Sequence, residues 1–264
     1  MPMALEGIRI LDWTMAQQGP VATQMLADMG AEVIKIEPPD RGDRGRGMKQ
    51  IRGDDAIIKG VNAYFEAHNR NKKSLTINLE HGKSREIIYR LTEKSDVFVH
   101  NFRVGSAERM GVGYEDLKKI NPRIIYAHAS GFGPKGPDRK RGAIDPIAQA
   151  RSGLISVTGE PDSLPVIIPA GMADQVGAII LAHGILVALL ARERLGIGQR
   201  VDSSLLGGQI FLQGLLLQSY LLSERPTGKV SRVDMSATYN SYKTKDGRWI
   251  IVGLMQQKYW PRLC

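Results

Sequence analysis

The feature that most constrains the fold of this chain is a regular alternation of short apolar strand patterns with helix patterns. Apolar, β-branched runs bounded by glycine-rich or polar loops predict strands at residues 8–13, 31–37, 74–79, 96–102 and 123–130. Strands that alternate with helices and are apolar on both faces are typical of parallel sheets. The sequence therefore predicts an α/β fold with a Rossmann-like parallel sheet and flanking helices.

The segments between these strands carry helix signals. Residues 19–30 place Val21, Met25, Leu26 and Met29 on one face, with Pro20 suited to the first helical position. Further helices are predicted at 82–95 and around 114–120. A long, almost uncharged helix is predicted to follow Asp174. Helix capping alone explains an acid at its start, and covalent chemistry is the alternative.

Composition narrows the function classes. With 264 residues, 42% hydrophobic and 24% charged, the chain has the profile of a soluble globular protein. The apolar run 176–190 is short for a bilayer and is interrupted by His183 and Gly184, so we expect no membrane association. Cys264 is the only cysteine, which excludes internal disulfides and favours a reducing cytoplasm. No export signal is visible at the N-terminus.

A net charge of +9 predicts an anionic partner. Aromatic residues make up only 6%, too few for the stacking that nucleic-acid binding segments use, so we expect no nucleic-acid partner. The basic residues lie in separate loops, which suits a phosphate-bearing small molecule held where the loops converge. A merely solvated basic surface is the alternative. The loops concerned are DRGDRGRGMKQIRGD, NRNKKS, NFRVGSAERMG and GPKGPDRKRG.

Ligands of open α/β sheets bind beyond the carboxyl ends of the strands. In this chain those positions are rich in amides, arginine and glycine, as in TMAQQGP after the first strand and HNFRVG after the fourth. No dinucleotide-binding glycine motif follows the first strand, and no phosphate-binding P-loop or serine-hydrolase elbow is present. The histidines and acids show no metal-ligand spacing, so we expect no metal.

The ordered motifs of the chain resemble those of the class III CoA-transferases, the CaiB/BaiF type that includes formyl-CoA and carnitine CoA-transferases. The resemblance extends over nearly the whole chain. It implies a large CoA-binding domain at 1–224, the start of a small α+β domain at 225–264, and an interlocked homodimer. The segments that carry it are LEGIRILDWTMAQQGPVATQMLADMGAEVIKIEPPDRGD, NRNKKSLTINL, SDVFVHNFRVGSAERMGVGYEDLKKINPRIIYAHASGFGPKGP, AIDPIAQARSGLISVTGEP and IPAGMADQVGAIILAHGILVALLARERLGIGQRVDSSLL.

The resemblance implies a covalent role for Asp174. In these transferases the aspartate of the G-x-x-x-D segment attacks an acyl-CoA thioester, forms a mixed anhydride and releases CoA thiolate, and CoA is finally passed to a carboxylic acid. Gln17 resembles a residue at the thiol end of CoA, and Asp145 falls where the family has an acid near the nucleophile. We expect the helix N-terminus to keep Asp174 ionised, with Gly171, Ala173 and Gly177 leaving room for a thioester.

The resemblance also implies the residues that hold coenzyme A, which serves as substrate and product. They follow strands or lie in basic loops, and each has a purely structural alternative. The set is Gln18, Asn69, Asn71, Lys72, Asn101, Phe102, Arg103, Arg109, Gly142 and Ala143. The expected partners are acyl-CoA, small carboxylic acids and a second copy of the chain.

Two departures from the family pattern leave the function open. The chain reads Gly142-Ala143-Ile144-Asp145 where the α-methylacyl-CoA racemase branch has a histidine, so a racemase lacks its base. The chain stops where the small domain begins, so we expect a C-terminally shortened family member. A CoA-transferase is the main hypothesis. The alternative is a non-catalytic CoA- or acyl-CoA-binding fragment, or a subunit that needs a partner.

Overall fold

A computed structural model describes residues 1–51 and 53–264. The strands in these residues are, in chain order, β1 (Arg9–Trp13), β2 (Glu32–Glu37), β3 (Gln50–Ile51), β4 (Asp54–Asp55), β5 (Ile57–Ile58), β6 (Val61–Asn62), β7 (Lys72–Thr76), β8 (Val97–His100), β9 (Ile125–Ser130), β10 (Arg200–Ser204), β11 (Tyr239–Lys243) and β12 (Trp249–Gly253). The helices are α1 (Gln18–Asp28), α2 (Ala63–Asn69), α3 (Ser84–Thr92), α4 (Ser106–Arg109), α5 (Tyr114–Ile120), α6 (Asp145–Arg151), α7 (Met172–Leu195), α8 (Leu205–Leu212), α9 (Gly214–Ser223) and α10 (Trp260–Leu263).

The main sheet is parallel at every pairing, which confirms the predicted α/β fold. Its strand order within the described residues is β10-β9-β8-β1-β2-β7, the doubly wound order of a Rossmann sheet. The five strands predicted from sequence are β1, β2, β7, β8 and β9. β10 was not predicted, because its sequence RVDSS is mostly polar and it lies at an edge of the sheet. The strand predicted at 74–79 begins earlier, so Lys72 belongs to β7.

Alternate strand residues form two cores, one on each face of the sheet. Ile10, Val97 and Ile125 point to the face covered by α1 and α7. Leu11, Phe98 and their neighbours pack on the opposite face against the segments that contain α3, α4 and α5. Helix α1 begins at Gln18 rather than at the expected Pro20, and Met29, expected on its apolar face, is partly exposed just beyond its end. The sheet is therefore buried on both sides, as its apolar strands require.

Helix α7 is longer than the apolar run suggested. It spans 24 residues, because the helix continues beyond the apolar run through the charged residues Arg192, Glu193 and Arg194. By length and composition it could cross a bilayer, which the run 176–190 could not. In this structure one face of α7 is buried against the sheet and α1, with Leu181 and Ile185 inaccessible to solvent. Burial in the core therefore accounts for one apolar face of α7, while Ile179, Val187 and Leu190 are exposed in the single chain.

Two short hairpins, β3–β4 and β5–β6, lie between β2 and α2. Arg52, one of the basic residues noted in this loop, lies outside the described residues. The chain divides into two compact units, one of residues 1–152 and 169–212 and the other of 153–168 and 213–264. The domain boundary predicted at 224/225 stays a prediction. The two compact units divide before α9, and the second unit also contains residues 153–168. That unit contains the antiparallel pair β11–β12.

Candidate active site

A cavity of about 540 Å³ lies at the carboxyl ends of β1, β8 and β9, within the first compact unit. The order of the sheet reverses between β1 and β8, so the segments after these strands diverge and leave a crevice. Eight of the residues proposed from sequence line this cavity. They are Gln17, Gln18, Asn101, Phe102, Arg103, Gly142, Ala143 and Asp174.

Asp174 is the third residue of α7 and lines the cavity. The helix begins after Ala170 and Gly171, both with positive φ, which turns the chain sharply into the site. Burial, reinforced by the nearby negative charge of Asp145, raises the pKa of the Asp174 carboxyl to about 7, although the Gln18 backbone N–H donates to it. The helix terminus was expected to keep Asp174 ionised, but burial and Asp145 outweigh it and bring the pKa of this carboxyl near neutrality.

Asp145, rather than Asp174, caps helix α7. Its Oδ2 accepts hydrogen bonds from the backbone N–H groups of Ala173 at 2.6 Å and Asp174 at 3.2 Å. Its Oδ1 accepts a bond of 2.6 Å from Gln149 Nε2. Because a buried acid from α6 satisfies the helix amides, the carboxylate of Asp174 is left facing the cavity. This arrangement removes capping as the explanation for Asp174.

The amides of Gln17 and Gln18 occupy the space beside Asp174. Gln17 Nε2 donates to the Ala170 carbonyl at 3.1 Å, and a Cβ on Gly171 would lie 2.4 Å from that nitrogen. A Cβ on Gly177 would lie 2.5 Å from Gln18 Nε2. These two glycines therefore admit glutamine side chains, not a thioester as the sequence suggested. Gln18 Nε2 is buried and has no hydrogen-bond partner among the described residues.

Tyr64 also belongs to the site, although sequence analysis did not select it. It lies on α2, which begins after Asn62, whose Oδ1 accepts from the Phe65 N–H at 3.0 Å. The Tyr64 hydroxyl is 3.5 Å from Gln17 Oε1. Burial and the charge of Asp174 raise the Tyr64 pKa well above its ordinary value. The sequence signal that could have identified this helix is Asn62 at its N-cap.

Asn101 and Phe102 line the cavity and also contact the residues beside it. Asn101 exchanges two hydrogen bonds with the backbone of Met15, at 2.9 and 2.8 Å. The Phe102 ring lies 4.2 Å from the Trp13 ring, centroid to centroid, and the Phe102 carbonyl is 2.9 Å from His128 Nε2. Both predicted residues therefore line the cavity and are held in fixed positions.

Lys72 and Asn69 lie beneath the site rather than in it. Lys72 Nζ is 3.0 Å from Asp12 Oδ2 and also donates to Asn69 Oδ1 at 3.0 Å. Burial lowers the Lys72 pKa to about 8, against the attraction of Asp12. The ammonium is enclosed in a buried network and neither side chain lines the cavity, so this arrangement gives no support to the assignment of Lys72 and Asn69 to the nucleotide.

Asn71 and Arg109, also expected to contact CoA, pair with other side chains and lie outside this cavity, so their assignment to CoA stays a prediction. Asn71 Nδ2 donates to Asp28 Oδ1 at 2.7 Å, and Arg109 donates to Ser106 Oγ at 3.1 Å. Both are exposed, and neither lines the cavity. The basic residues on the cavity wall are instead Arg44, Arg103, Arg139 and Arg141.

These four arginines come from three different loops that converge on one cavity. Arg103 follows β8, and its guanidinium lies against Gly142, where a Cβ would be 2.9 Å from Nη2. Arg141 is 3.2 Å from Asp138. The predicted convergence of basic loops thus holds for three of them, although only Arg103 had been selected individually. Such a rim suits a phosphate-bearing ligand. No metal-ligating group of three acids, histidines or cysteines occurs in the described residues.

Comparison with known proteins agrees with this geometry. Residues 5–264 match the family model described as CoA-transferase family III. The chain is 41% identical to an acyl-CoA transferase of Fusarium pseudograminearum, covering 99% of the chain and 58% of that protein. It is 36% identical to succinyl-CoA:glutarate CoA-transferase of Mus musculus, covering 98% and 58%.

Other matches give the same result. Acetyl-CoA:oxalate CoA-transferase of Acetobacter aceti is 38% identical, with 93% of the chain and 62% of that protein covered. The crystal structure of a CaiB/BaiF family protein from Brucella suis superposes with a TM-score of 0.87 and 31% identity, over 100% of the chain and 69% of that structure. The chain thus spans about three fifths of the length of these three curated relatives.

Proposed function

Because the chain belongs to CoA-transferase family III, we propose that it moves CoA from an acyl-CoA thioester to a carboxylic acid, with Asp174 as the nucleophile. The observation that carries this proposal is a carboxylate, free of its capping role, that faces a cavity rimmed by arginines. Acyl-CoA and small carboxylic acids are the proposed substrates. The relatives named for succinyl-CoA and acetyl-CoA make these two thioesters suitable first probes.

The proposed reaction begins at the Asp174 carboxylate. An oxygen of Asp174 attacks the thioester carbonyl, the carbon–sulfur bond breaks, and the thiolate leaves with the electron pair, giving an aspartyl mixed anhydride. The thiolate then attacks the Asp174 carbonyl of this anhydride, which frees the donor acid and forms a thioester between Asp174 and CoA. The acceptor carboxylate attacks the resulting aspartyl thioester, which expels the thiolate and forms a second mixed anhydride. The thiolate then attacks the acceptor carbonyl of that anhydride, giving the acceptor acyl-CoA and restoring the Asp174 carboxylate. Each carbonyl attack develops an oxyanion, and the amide of Gln18 and the Tyr64 hydroxyl are the nearby donors suited to stabilise it.

The pH dependence follows from the Asp174 pKa. Only the ionised carboxylate is nucleophilic, so we expect the rate of acylation to rise through pH about 7 and level off above it. Asp145→Asn removes the neighbouring negative charge and keeps an oxygen for the α7 amides. We expect it to lower the midpoint by roughly one pH unit in rapid-quench acylation assays. Glu115→Gln, at an exposed position on α5, is the control and leaves the midpoint unchanged. An unchanged midpoint in Asp145→Asn would remove Asp145 from the electrostatics of the site.

The arginine rim gives a second prediction. Arg103→Ala is expected to weaken CoA binding about tenfold at low salt, with a smaller loss at high salt, because a charge-assisted contact to phosphate is lost. Arg90→Ala is the matched control, since Arg90 is exposed on α3 and does not line the cavity. Titration calorimetry measures both variants. Equal losses in the two would mean that general surface charge, not the rim, attracts CoA.

We keep the homodimer and the cytoplasmic location as proposals. Apolar side chains of α7 and α8 that are exposed in the single chain support association with a second copy. They are Ile179, Val187, Leu190, Ile210 and Phe211. The lone cysteine is compatible with a reducing compartment. A racemase finds no support, since the described residues that line the cavity include no histidine.

A further inference from the structure

The segment between β1 and α1, residues 14–17, is held in place by side chains from β2 and from the loops that follow β2 and β8. The Thr14 carbonyl accepts a hydrogen bond of 2.9 Å from Lys35 Nζ. The Ala16 N–H donates to Asp43 Oδ1 at 3.1 Å. Asn101 holds Met15 between them through its two bonds. Consecutive backbone groups of this loop are therefore bound to side chains rather than to solvent.

This restraint acts on a backbone conformation that alanine does not readily adopt. Ala16 has φ of 65°, in the left-handed region where a Cβ is unfavourable. The next residue is Gln17, which is buried and fitted closely against Gly171. The direction in which Gln17 enters the cavity therefore depends on Ala16 keeping its conformation. Surrounding structure must supply the free energy that holds Ala16 there.

Asp43 is placed to supply that restraint and to connect it with the arginine rim. Its carboxyl group is buried, with Oδ2 2.7 Å from Lys35 Nζ. Besides accepting from Ala16, Oδ1 accepts from the Gly45 N–H at 2.7 Å. That second bond caps a short 3-10 helix, Arg44–Gly47, which carries Arg44 on the cavity wall. One carboxylate thus joins the Gln17 segment to a basic loop of the same cavity.

We propose that Asp43, fixed by Lys35, is a positioning residue that holds Ala16 left-handed and so orients Gln17 beside Asp174. The proposal rests on the function proposed above. Asp43 does not line the cavity and makes no contact with the reacting atoms in this scheme. Its effect on the reaction passes through the backbone of Ala16. Its effect on binding passes through the turn that carries Arg44.

The test compares Asp43→Ala with the double variant Asp43→Ala/Ala16→Gly in single-turnover acylation by succinyl-CoA or acetyl-CoA. We expect Asp43→Ala to lower the acylation rate about 100-fold, the scale of loss that a misplacement of about 1 Å near the reacting groups can cause. Ala16→Gly alone is expected to change it less than about threefold. Because glycine adopts positive φ without steric cost, the double variant is expected to regain at least about tenfold of the loss. A role in stability alone predicts no such rescue.

The control is Asp96→Ala, which breaks another ion pair of the first compact unit. Asp96 Oδ1 is 2.9 Å from Arg192 Nη1, at the amino end of β8 and away from the cavity. Rates are compared at equal folded fraction, measured by thermal melting. If Asp43→Ala does not fold, Lys35→Met/Asp43→Leu takes its place, since it offers Ala16 no acceptor, leaves no unpaired ammonium and is expected to lose about 100-fold. Its matched control pair of substitutions is Lys35→Met/Asp43→Asn, in which asparagine keeps an oxygen for Ala16, and equal rates in the two double variants would overturn the proposal. The control pair is expected to acylate within about tenfold of the original chain.

Hydrogen exchange separates this proposal from the transferase activity. If the original chain forms no acyl adduct, the proposed function fails, while exchange of the Ala16 amide hydrogen still reports the restraint. We expect Asp43→Ala to speed that exchange about 100-fold and Asp96→Ala to leave it unchanged. Equal exchange at Ala16 in these two variants would overturn the proposal. In an active chain, equal acylation rates in the two variants, or no rescue by glycine, would also overturn it.

Discussion

Replacing Asp174 with asparagine is expected to abolish acyl transfer, with a loss of at least about 1000-fold in the acylation rate. Asparagine has nearly the same shape but no carboxylate to attack the thioester. The capping bonds of α7 run from backbone N–H groups to Asp145, so they survive the change. CoA affinity is expected to stay within a few-fold, because the arginine rim is untouched. Rapid quench and titration calorimetry give the two numbers.

Loss of the folded state is not expected to explain the loss of acyl transfer in Asp174→Asn. Folding raises the Asp174 pKa from 3.8 to about 7, so the folded state binds the proton more tightly than the unfolded chain. Stability is therefore lost as pH rises from about 4 to about 7, the full loss persists above pH 7, and asparagine removes it. We expect the variant to melt no lower than the original chain at pH 8. A variant that still acylates, or that loses CoA binding together with activity, would contradict the role given to Asp174.

Replacing Lys72 with methionine is expected to lower the free energy of unfolding by roughly 3–5 kcal/mol, the usual cost of leaving a buried charge unpaired. Lys72 is 2% exposed, and its partner Asp12 is fully buried. Asp12 also accepts hydrogen bonds from Thr14 and Thr23 beneath the active-site loop. The folded variant is expected to bind CoA with unchanged affinity, since Lys72 does not line the cavity.

The neighbouring residue provides a matched control. Lys73 lies in the same strand and pairs with Glu32 at 2.7 Å, but its side chain is 73% exposed. Lys73→Met is therefore expected to cost less than about 1 kcal/mol. Denaturant titration measures both variants, and Asp12→Asn/Lys72→Met is expected to recover part of the loss. A stable Lys72→Met that binds CoA weakly would restore the sequence-based assignment of Lys72 to the nucleotide.

The fold class could be predicted from the sequence because buried parallel strands have a strong local signature. The runs RILDW, EVIKIE, VFVH and IYAHAS are apolar enough to be recognised one at a time. β10 lacked that signature, since an edge strand can be polar. Side-chain roles were harder to predict. Lys72 and Arg103 look equally basic in sequence, yet β7 buries one in an ion pair and the other lies on the cavity wall.

The acids show the same limit. Asp174 was placed at the start of its helix correctly, but the group that caps the helix comes from α6, 28 residues away in sequence from Ala173. Local pattern cannot reveal a cap supplied by another element. Nor could it reveal that burial and Asp145 together bring the Asp174 pKa near neutrality. Both properties depend on tertiary packing, and both bear directly on the proposed chemistry.

The most direct test of the central claim is to locate the covalent intermediate. The full chain is incubated with succinyl-CoA or acetyl-CoA, trapped with hydroxylamine, digested and mapped by mass spectrometry, while calorimetry records CoA binding. We predict a hydroxamate on Asp174 that requires acyl-CoA and is absent from Asp174→Asn. CoA binding with an unmodified Asp174, or a hydroxamate on another residue, would contradict it. The first of these results would identify the chain as a non-catalytic CoA binder.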